Sequence, residues 1–430
     1  MITIARRPIV VVALSALVAA CTAASPSPSA EPTPSRPSPT PAATASPTQP
    51  PPTPAATASP SPSPTATAAP PAADTLEVAW TAEDLTGIGA VESIRGVTRA
   101  GDTYVLLASL SYGDDQSAEA AVWWSDDGAS WHLAQEFPVD TRMHALTVGG
   151  PGFVVAGATQ DGAAVWTSAD GRDWEPVRDP SLARGTIFQL ISTASGLVAF
   201  GSRWGEGDDG AIWTSSDGLA WLAATNETGL TVARGLQAVA SYGGRAIAFV
   251  SEGDEHPPGI WETTGRAEWT RTGTLKDVAF ISKIAGGARG WVALGSDQAW
   301  TSTDGRTWNE GVPGPDVHED VIVDDAGFIA VGFVGSLPGE TCGDQRPFAG
   351  YTWTSSDGAI WERMSVTEEF QTAMVTKLLV VDRTLIGFGQ TIKGAVDLDL
   401  PVARWTDTLP ALTTPGDESD EASVFESCGG

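Results

Sequence analysis

The stretch WWSDDGASW, running from Trp123 to Trp131, recurs five more times with its two tryptophans always eight positions apart. The further copies are WTSADGRDW from Trp166, WTSSDGLAW from Trp213, WETTGRAEW from Trp261, WTSTDGRTW from Trp300 and WTSSDGAIW from Trp353. Five of the six carry Ser-x-Asp-Gly or its equivalent between the tryptophans, which is the chemistry of a tight β-hairpin. Ser168 and Asp170 can accept hydrogen bonds from turn N–H groups, and Gly171 takes a positive φ at little cost. The copy from Trp261 keeps both tryptophans but has Gly265 and Arg266 where the others have Asp-Gly. Apolar residues before each turn and the tryptophan after it then face one another across two strands.

A second signature precedes each hairpin, an apolar strand pair about a Gly-rich turn. It reads LTVGGPGFVVAG from Leu146, ISTASGLVAFG from Ile191, VASYGGRAIAF from Val239, IAGGARGWVALG from Ile284 and IVDDAGFIAVG from Ile322. Variants start at Val97 and Leu379, so strand pairs number seven against six complete hairpins. The ends of the repeat region supply the missing one. Trp405 in VARWTD matches a first tryptophan with no second, and Trp80 in LEVAW matches a second with no first. The repeat averages about 47 residues, the size of four strands and their turns. The expected fold is all-β: a seven-bladed β-propeller of four-stranded blades, closed by the N-terminal strand at Trp80, which completes the last blade. Closure of this kind removes the open sheet edge of a linear array.

Outward from the repeats the composition changes abruptly. All 17 Trp and all 47 Gly lie beyond position 79, whereas 17 of the 31 Pro fall between Pro26 and Pro71. Residues 22–73 are almost entirely Pro, Ser, Thr and Ala, too apolar-poor to offset ordering entropy, so a disordered, extended Pro-rich linker is expected. Before it, MITIARRPIVVVALSALVAAC has a basic start and a short apolar run that suits a signal peptide better than a membrane span. The expected organisation is therefore a signal peptide over 1–20, Cys21 and the linker over 21–74, the propeller over 75–410 and an acidic tail over 411–430. With 24 Lys+Arg against 53 Asp+Glu the formal charge is −29, which excludes a basic footprint for nucleic acid. Three Cys and four His are too few for an ordinary zinc or iron–sulfur site.

Two resemblances follow from these motifs. Val18-Ala19-Ala20-Cys21 resembles the lipobox of bacterial lipoproteins, with Val18 where Leu is usual. That resemblance implies lipidation of Cys21 and export to the outer side of the bacterial cytoplasmic membrane or the cell surface, with the lipid as the only membrane contact. The S-x-D-G-x-x-W turns resemble the Asp-box, or BNR, repeats of the sialidase-like propeller superfamily, although they are one residue shorter than the usual form. The resemblance spans Trp80 to Trp405 and implies architecture more than activity, because Asp boxes lie at the blade rim, away from the central channel.

Candidate binding residues fall on the opposite face, where loops differ most between blades. Arg95, Arg142, Arg184 and Arg234 stand just before the innermost strands of four consecutive blades. Converging arginines can hold a carboxylate, as the arginine triad of sialidases does for its substrate. Asp208, Asp209, Asp254 and Glu255 mark acidic loops that are candidates for binding a partner. Asp208 with Asp209, or Asp397 with Asp399, would suit calcium, but no complete EF-hand-like loop is present and no cofactor is expected. Sialidase chemistry needs a Tyr nucleophile with carboxylate partners. Of the four Tyr, only Tyr112 is expected on the loop face, and the F/Y-R-I-P motif is missing. In an oxidising compartment Cys342 and Cys428 are expected to pair as a disulfide. The expected function is that of a monomeric, non-catalytic surface lipoprotein binding a protein or glycan partner. A sialidase-like hydrolase with a degenerate site and an assembly factor for an exported complex are the alternatives.

Overall fold

The structure is a computed structural model that describes residues 78–408, apart from positions 90, 277, 279 and 371 and the segments 111–119, 205–209, 224–234, 252–255, 266–267, 296–297, 312–318, 335–348, 365–369 and 392–401. All described residues belong to one compact unit, Pro70–Gly430. Seven four-stranded antiparallel sheets form the blades of a propeller. Blade 1 runs Ser93–Ala100, Thr103–Ser109, Ala120–Ser125 and His132–Glu136, and the next five blades repeat this meander in chain order. Blade 7 takes its first three strands from Ala373–Val381, Thr384–Thr391 and Val402–Thr408, and its outermost strand from Thr81–Asp84. The first strands of successive blades neighbour one another around the ring, blade 7 against blade 1 included.

The sequence forms blades because each middle strand is apolar on both faces. Thr103–Ser109 (TYVLLAS) is buried at six consecutive positions, the pattern of a strand covered on both sides. Tyr104, Leu106 and Ala108 face the junction with blade 7, while Val105 and Leu107 face the junction with blade 2. The hydrophobic core is accordingly divided into seven clusters, each lying between two neighbouring blades.

The tryptophan spacing follows from this geometry. In every blade both tryptophans enter the same cluster, the one shared with the preceding blade: Trp123 and Trp131 with blade 7, Trp213 and Trp221 with blade 2, Trp300 and Trp308 with blade 4. Trp131 meets Phe388 of blade 7 edge-on at 5.9 Å, and Trp308 meets Phe249 of blade 4 at 5.2 Å. Aromatic pairs of this kind add about 0.5–1.5 kcal/mol beyond area burial.

Trp80 and Trp405 fill the junction between blades 6 and 7 in the same manner, which bears out the closure expected from their spacing. Ala82 lies opposite Trp405, Glu83 pairs with Arg404, and the Ala79 N–H donates to the Asp407 carboxylate at 3.0 Å. The Trp80 ring stacks on Phe370 at 5.2 Å, and its N–H donates to Thr352 Oγ1 of blade 6 at 2.6 Å.

The hairpin turns are held by their own side chains. In the first, the Gly128 N–H donates to Ser125 Oγ at 2.8 Å while Asp127 Oδ1 accepts from the N–H groups of Ala129 and Ser130. The indole of Trp131 then donates to the Gly128 carbonyl at 3.2 Å. The same bonds recur about Asp170, Asp217, Asp304 and Asp357. The N–H groups of Thr307 and Arg306 hold the Asp304 carboxyl down at about 2, opposed by slight burial. Blade 4 departs from the scheme as its sequence requires. Among the described residues only the Thr263 hydroxyl caps the turn, accepting from Gly265 N–H at 3.0 Å, and the indole N–H groups of Trp261 and Trp269 are buried without a partner there.

The turn glycines also press against the preceding blade. Gly171 has φ 81°, and a Cβ there would meet Val105 Cγ2 of blade 1 at 2.7 Å; Gly265 has nothing closer than 3.8 Å. Gly171→Ala should therefore cost about 2 kcal/mol or more from strain and overpacking, while Gly265→Ala should change stability by under about 0.5 kcal/mol. Chemical denaturation of the two variants measures the contrast, and equal losses would refute the packing argument. Deleting residues 75–86 strips the cover from Trp405 and Phe370 and opens a sheet edge. It should destabilise the domain by at least about 3 kcal/mol, and an unchanged melting curve would disprove the closure.

Candidate functional site

The faces of the ring differ in what they can display. The Ser-x-Asp-Gly turns and the turns between first and second strands share one face, and their residues are committed to turn geometry. The other face is where the innermost strands begin, at the mouth of the channel. There the innermost strands carry a recurring irregularity: the pairing with the second strand skips one residue. The skipped residues are Arg95, His144, Phe188, Gln237 and Thr376 in blades 1, 2, 3, 4 and 7. A bulge of this type bends the strand and re-aims the extra side chain. In blades 1, 2, 3 and 7 the residue before the bulge, Ile94, Met143, Ile187 and Val375 respectively, is buried and anchors it in the inter-blade core.

Blades 1 and 2 enclose a pocket of about 250 Å³ at this mouth, lined by Glu92, Arg95, Ser109, Leu110, Arg142, Met143 and His144. Arg95 Nε donates to Ser109 Oγ at 2.8 Å, which orients the guanidinium, and among the described residues Arg95 makes no ion pair. Behind Glu92, the buried Gln390 of blade 7 donates to the carbonyls of Val91 at 2.6 Å and Glu92 at 3.3 Å, fixing the backbone that leads into the pocket. The His144 ring lies 5.8 Å from that of Phe188, tilted by 47°. Burial lowers the His144 pKa, and the charges of Arg95 and Arg142 lower it further. An imidazole so placed is neutral near pH 7, between two fixed positive charges. The arrangement can receive a carboxylate or another small anion through two guanidinium groups.

The structure thus brings Arg95 and Arg142 together. Arg95 lies within the innermost strand at its bulge and Arg142 is the first residue of its strand, so neither precedes the strand by a clear margin as the sequence suggested. Arg184 stands apart from the pocket lining. It is exposed with φ 58°, its carbonyl accepting from Trp204 N–H at 2.8 Å. Arg234, Asp208, Asp209, Asp254, Glu255, Asp397, Asp399, Tyr112, Cys21, Cys342 and Cys428 lie outside the described residues. Among the described residues no group of three or more His, Cys, Asp or Glu could hold a metal ion, and no tyrosine lines the pocket. No described helix is long and apolar enough to cross a membrane.

His144 and Phe188 were missed by sequence reasoning, which treated the histidines as scattered. The signal was present in a column. Ile94-Arg95-Gly96-Val97, Met143-His144-Ala145-Leu146, Ile187-Phe188-Gln189-Leu190 and Leu236-Gln237-Ala238-Val239 place one variable residue between an apolar anchor and the next strand position.

No family model matches the chain, and no curated protein matches it. Several solved structures are similar to it at low sequence identity. YCF48 bound to a D1 peptide is 16% identical over 77% of this chain and 98% of that one, with a TM-score of 0.47. An endosialidase of phage phi92 is 11% identical, covering 80% of this chain and 71% of that one, at a TM-score of 0.43. A Trypanosoma rangeli sialidase mutant displaying trans-sialidase activity is 14% identical, covering 78% and 60%, at 0.41. These are likenesses of propeller fold alone.

The electrostatics of the pocket can be read from one proton. His144 should titrate below its ordinary value of 6.5 in NMR, and Arg142→Ala should raise its pKa by relieving repulsion. Because the folded value is depressed, protonating His144 favours unfolding. The stability it contributes is complete above its unfolded pKa and is lost as pH falls through the folded one. A His144 titration at or above 6.5, insensitive to Arg142→Ala, would remove both charges from the account.

Proposed function

We propose that this chain is an exported lipoprotein, anchored through Cys21 and held off the membrane by its Pro-rich linker, whose propeller binds a carboxylate-bearing protein or glycan partner without turning it over. One observation carries this reading: two arginines from adjacent blades converge on a single pocket at the channel mouth, Arg95 without an acidic partner among the described residues. In a chain with 53 acidic residues against 24 basic ones, an arginine left to a serine hydroxyl is held for something outside the chain. The hairpins fit the Asp-box plan, in which the repeat builds the scaffold and the mouth carries the specificity. A lipid anchor restricts such a domain to a surface, which raises its effective concentration against neighbouring partners. The acidic loops, with Asp208, Asp209, Asp254 and Glu255, would screen the mouth from other anions and direct the approach. The monomer is the expected form.

The enzymatic reading keeps the arginines but requires a nucleophile and an acid beside them. The described pocket supplies Glu92 and His144 and no tyrosine. Binding is therefore the better account of these residues.

The test uses the full chain made soluble by Cys21→Ser and arrays of acidic glycans and acidic peptides. Arg95→Ala and Arg142→Ala should each weaken capture by about tenfold or more, the scale of a charge-assisted hydrogen bond, and capture should fall with salt. Capture that survives both substitutions would overturn the reading, and turnover of a bound glycoside would replace it with the hydrolase.

A further inference from the structure

The mouth pocket is not uniformly polar, and its apolar side says what kind of anion it suits. Besides the guanidinium groups it is lined by Leu110 and Met143, the latter buried in the junction between blades 1 and 2. Beside His144 stands Phe188, which is 52% exposed although it belongs to a strand whose neighbours Ile187 and Leu190 are buried. The bulge between Ile187 and Gln189 is what turns this ring outward. This half-bare ring, tilted by 47° to the imidazole, offers a surface beside the pocket on which another flat group can lie, and covering it removes apolar surface from water.

We infer that this pocket selects a carboxylate joined to a flat apolar group, an aryl or similarly amphipathic acid, with the head on Arg95 and Arg142 and the flat body against His144 and Phe188. The inference rests on the reading that the arginines hold a carboxylate, and it names the class of group that must adjoin that carboxylate. Size agrees: a pocket of about 250 Å³ falls just short of those that enclose whole drug-sized molecules, about 300–1,000 Å³, and suits one ring and its acid group. Charge agrees as well. Among the described residues, the groups facing His144 are Arg142 on its own strand, Arg95 and Glu92 from blade 1 and the uncharged Phe188 from blade 3. With two arginines depressing its pKa, His144 presents a neutral ring for stacking. A bound carboxylate offsets those arginines, so binding should draw a proton onto His144.

The experiment is calorimetric titration of the full Cys21→Ser chain with phenylacetate, acetate and 2-phenylethanol, followed by NMR of His144. Phenylacetate should bind about tenfold or more tightly than either of the other two. Phe188→Ala should abolish the preference over acetate. Phe188→Leu, which keeps apolar bulk should the alanine variant fold poorly, should retain less than half of the preference. The His144 pKa should rise on saturation with phenylacetate. Equal affinity for acetate and phenylacetate, both lost in Arg142→Ala, would overturn this inference and leave the carboxylate reading intact. Phenylacetate binding indifferent to Arg95→Ala and Arg142→Ala would overturn both, as would the absence of binding by any of the three probes. An aryl preference that survives Phe188→Ala and Phe188→Leu would also overturn the inference.

Discussion

Every blade of this protein has two apolar faces, and that single constraint forces the ring. A sheet such as Thr103–Ser109 with its neighbours cannot expose Val105 and Leu107 any more than it can expose Leu106, because each buried side chain of this size is worth about 1.5–3 kcal/mol. One partner sheet covers only half of it. The remedy is a neighbour on each side, and for a finite chain that means closure. The tryptophan pair implements the constraint: both rings of a blade fill the gap to the blade before it, so the junction between blades 6 and 7 must be filled by Trp405 and a ring from the other end of the chain. Trp80 is that ring, bonded across the seam to Thr352 and stacked on Phe370.

Blade 4 shows what happens when the local turn chemistry is lost but the constraint remains. Its tryptophans keep their place in the core beside Phe200, yet their indole N–H groups have no partner and no carboxylate caps the turn. Glu262 takes up part of the load. It occupies the position held by threonine in most other hairpins and is bonded by Arg245 from the adjacent strand and Arg306 from the turn of blade 5. Both guanidinium groups lower its pKa against the opposing effect of burial, so it stays charged. An ion cluster across a junction thus stands where other blades use an Asp within one turn.

The fold was legible in the sequence because its signals are repeated and local. Eight-residue tryptophan spacing, Gly-rich turns and the two half-repeats at Trp80 and Trp405 each state part of the ring, and the structure agrees with all of them. The site was half legible. Arg95 and Arg142 could be placed near the mouth because arginine is uncommon there and its position recurs. Which of the described arginines would meet depended on their offset from the bulge, and a bulge leaves no mark on composition: Arg95 is the bulge residue of blade 1 and Arg142 lies two before that of blade 2, whereas Arg184 lies four before that of blade 3 and stays outside the pocket. His144 and Phe188 were invisible for the same reason, since a lone histidine or phenylalanine in a strand reads as ordinary until the register shift turns it outward.

The balance of charge gives the mouth its meaning. On the opposite face arginine is consumed by structure: Arg404 holds Glu83 and the Asp127 carbonyl, Arg289 holds the carbonyls of Asp325 and Ser356, and Arg172 lies over Trp124 while pairing with Asp126. Each of these joins one blade to the next. Arg95 does no such work; its described bond is to Ser109 within its own blade. A cationic recess in a chain of formal charge −29 also focuses its field. If the recess binds an anion as proposed, such a surface would favour one that reaches the arginines with the help of another attraction. On the proposed reading, Met143 in the pocket and Phe188 beside it would provide that attraction, and the acidity of the chain and the amphipathic character of the pocket would act together.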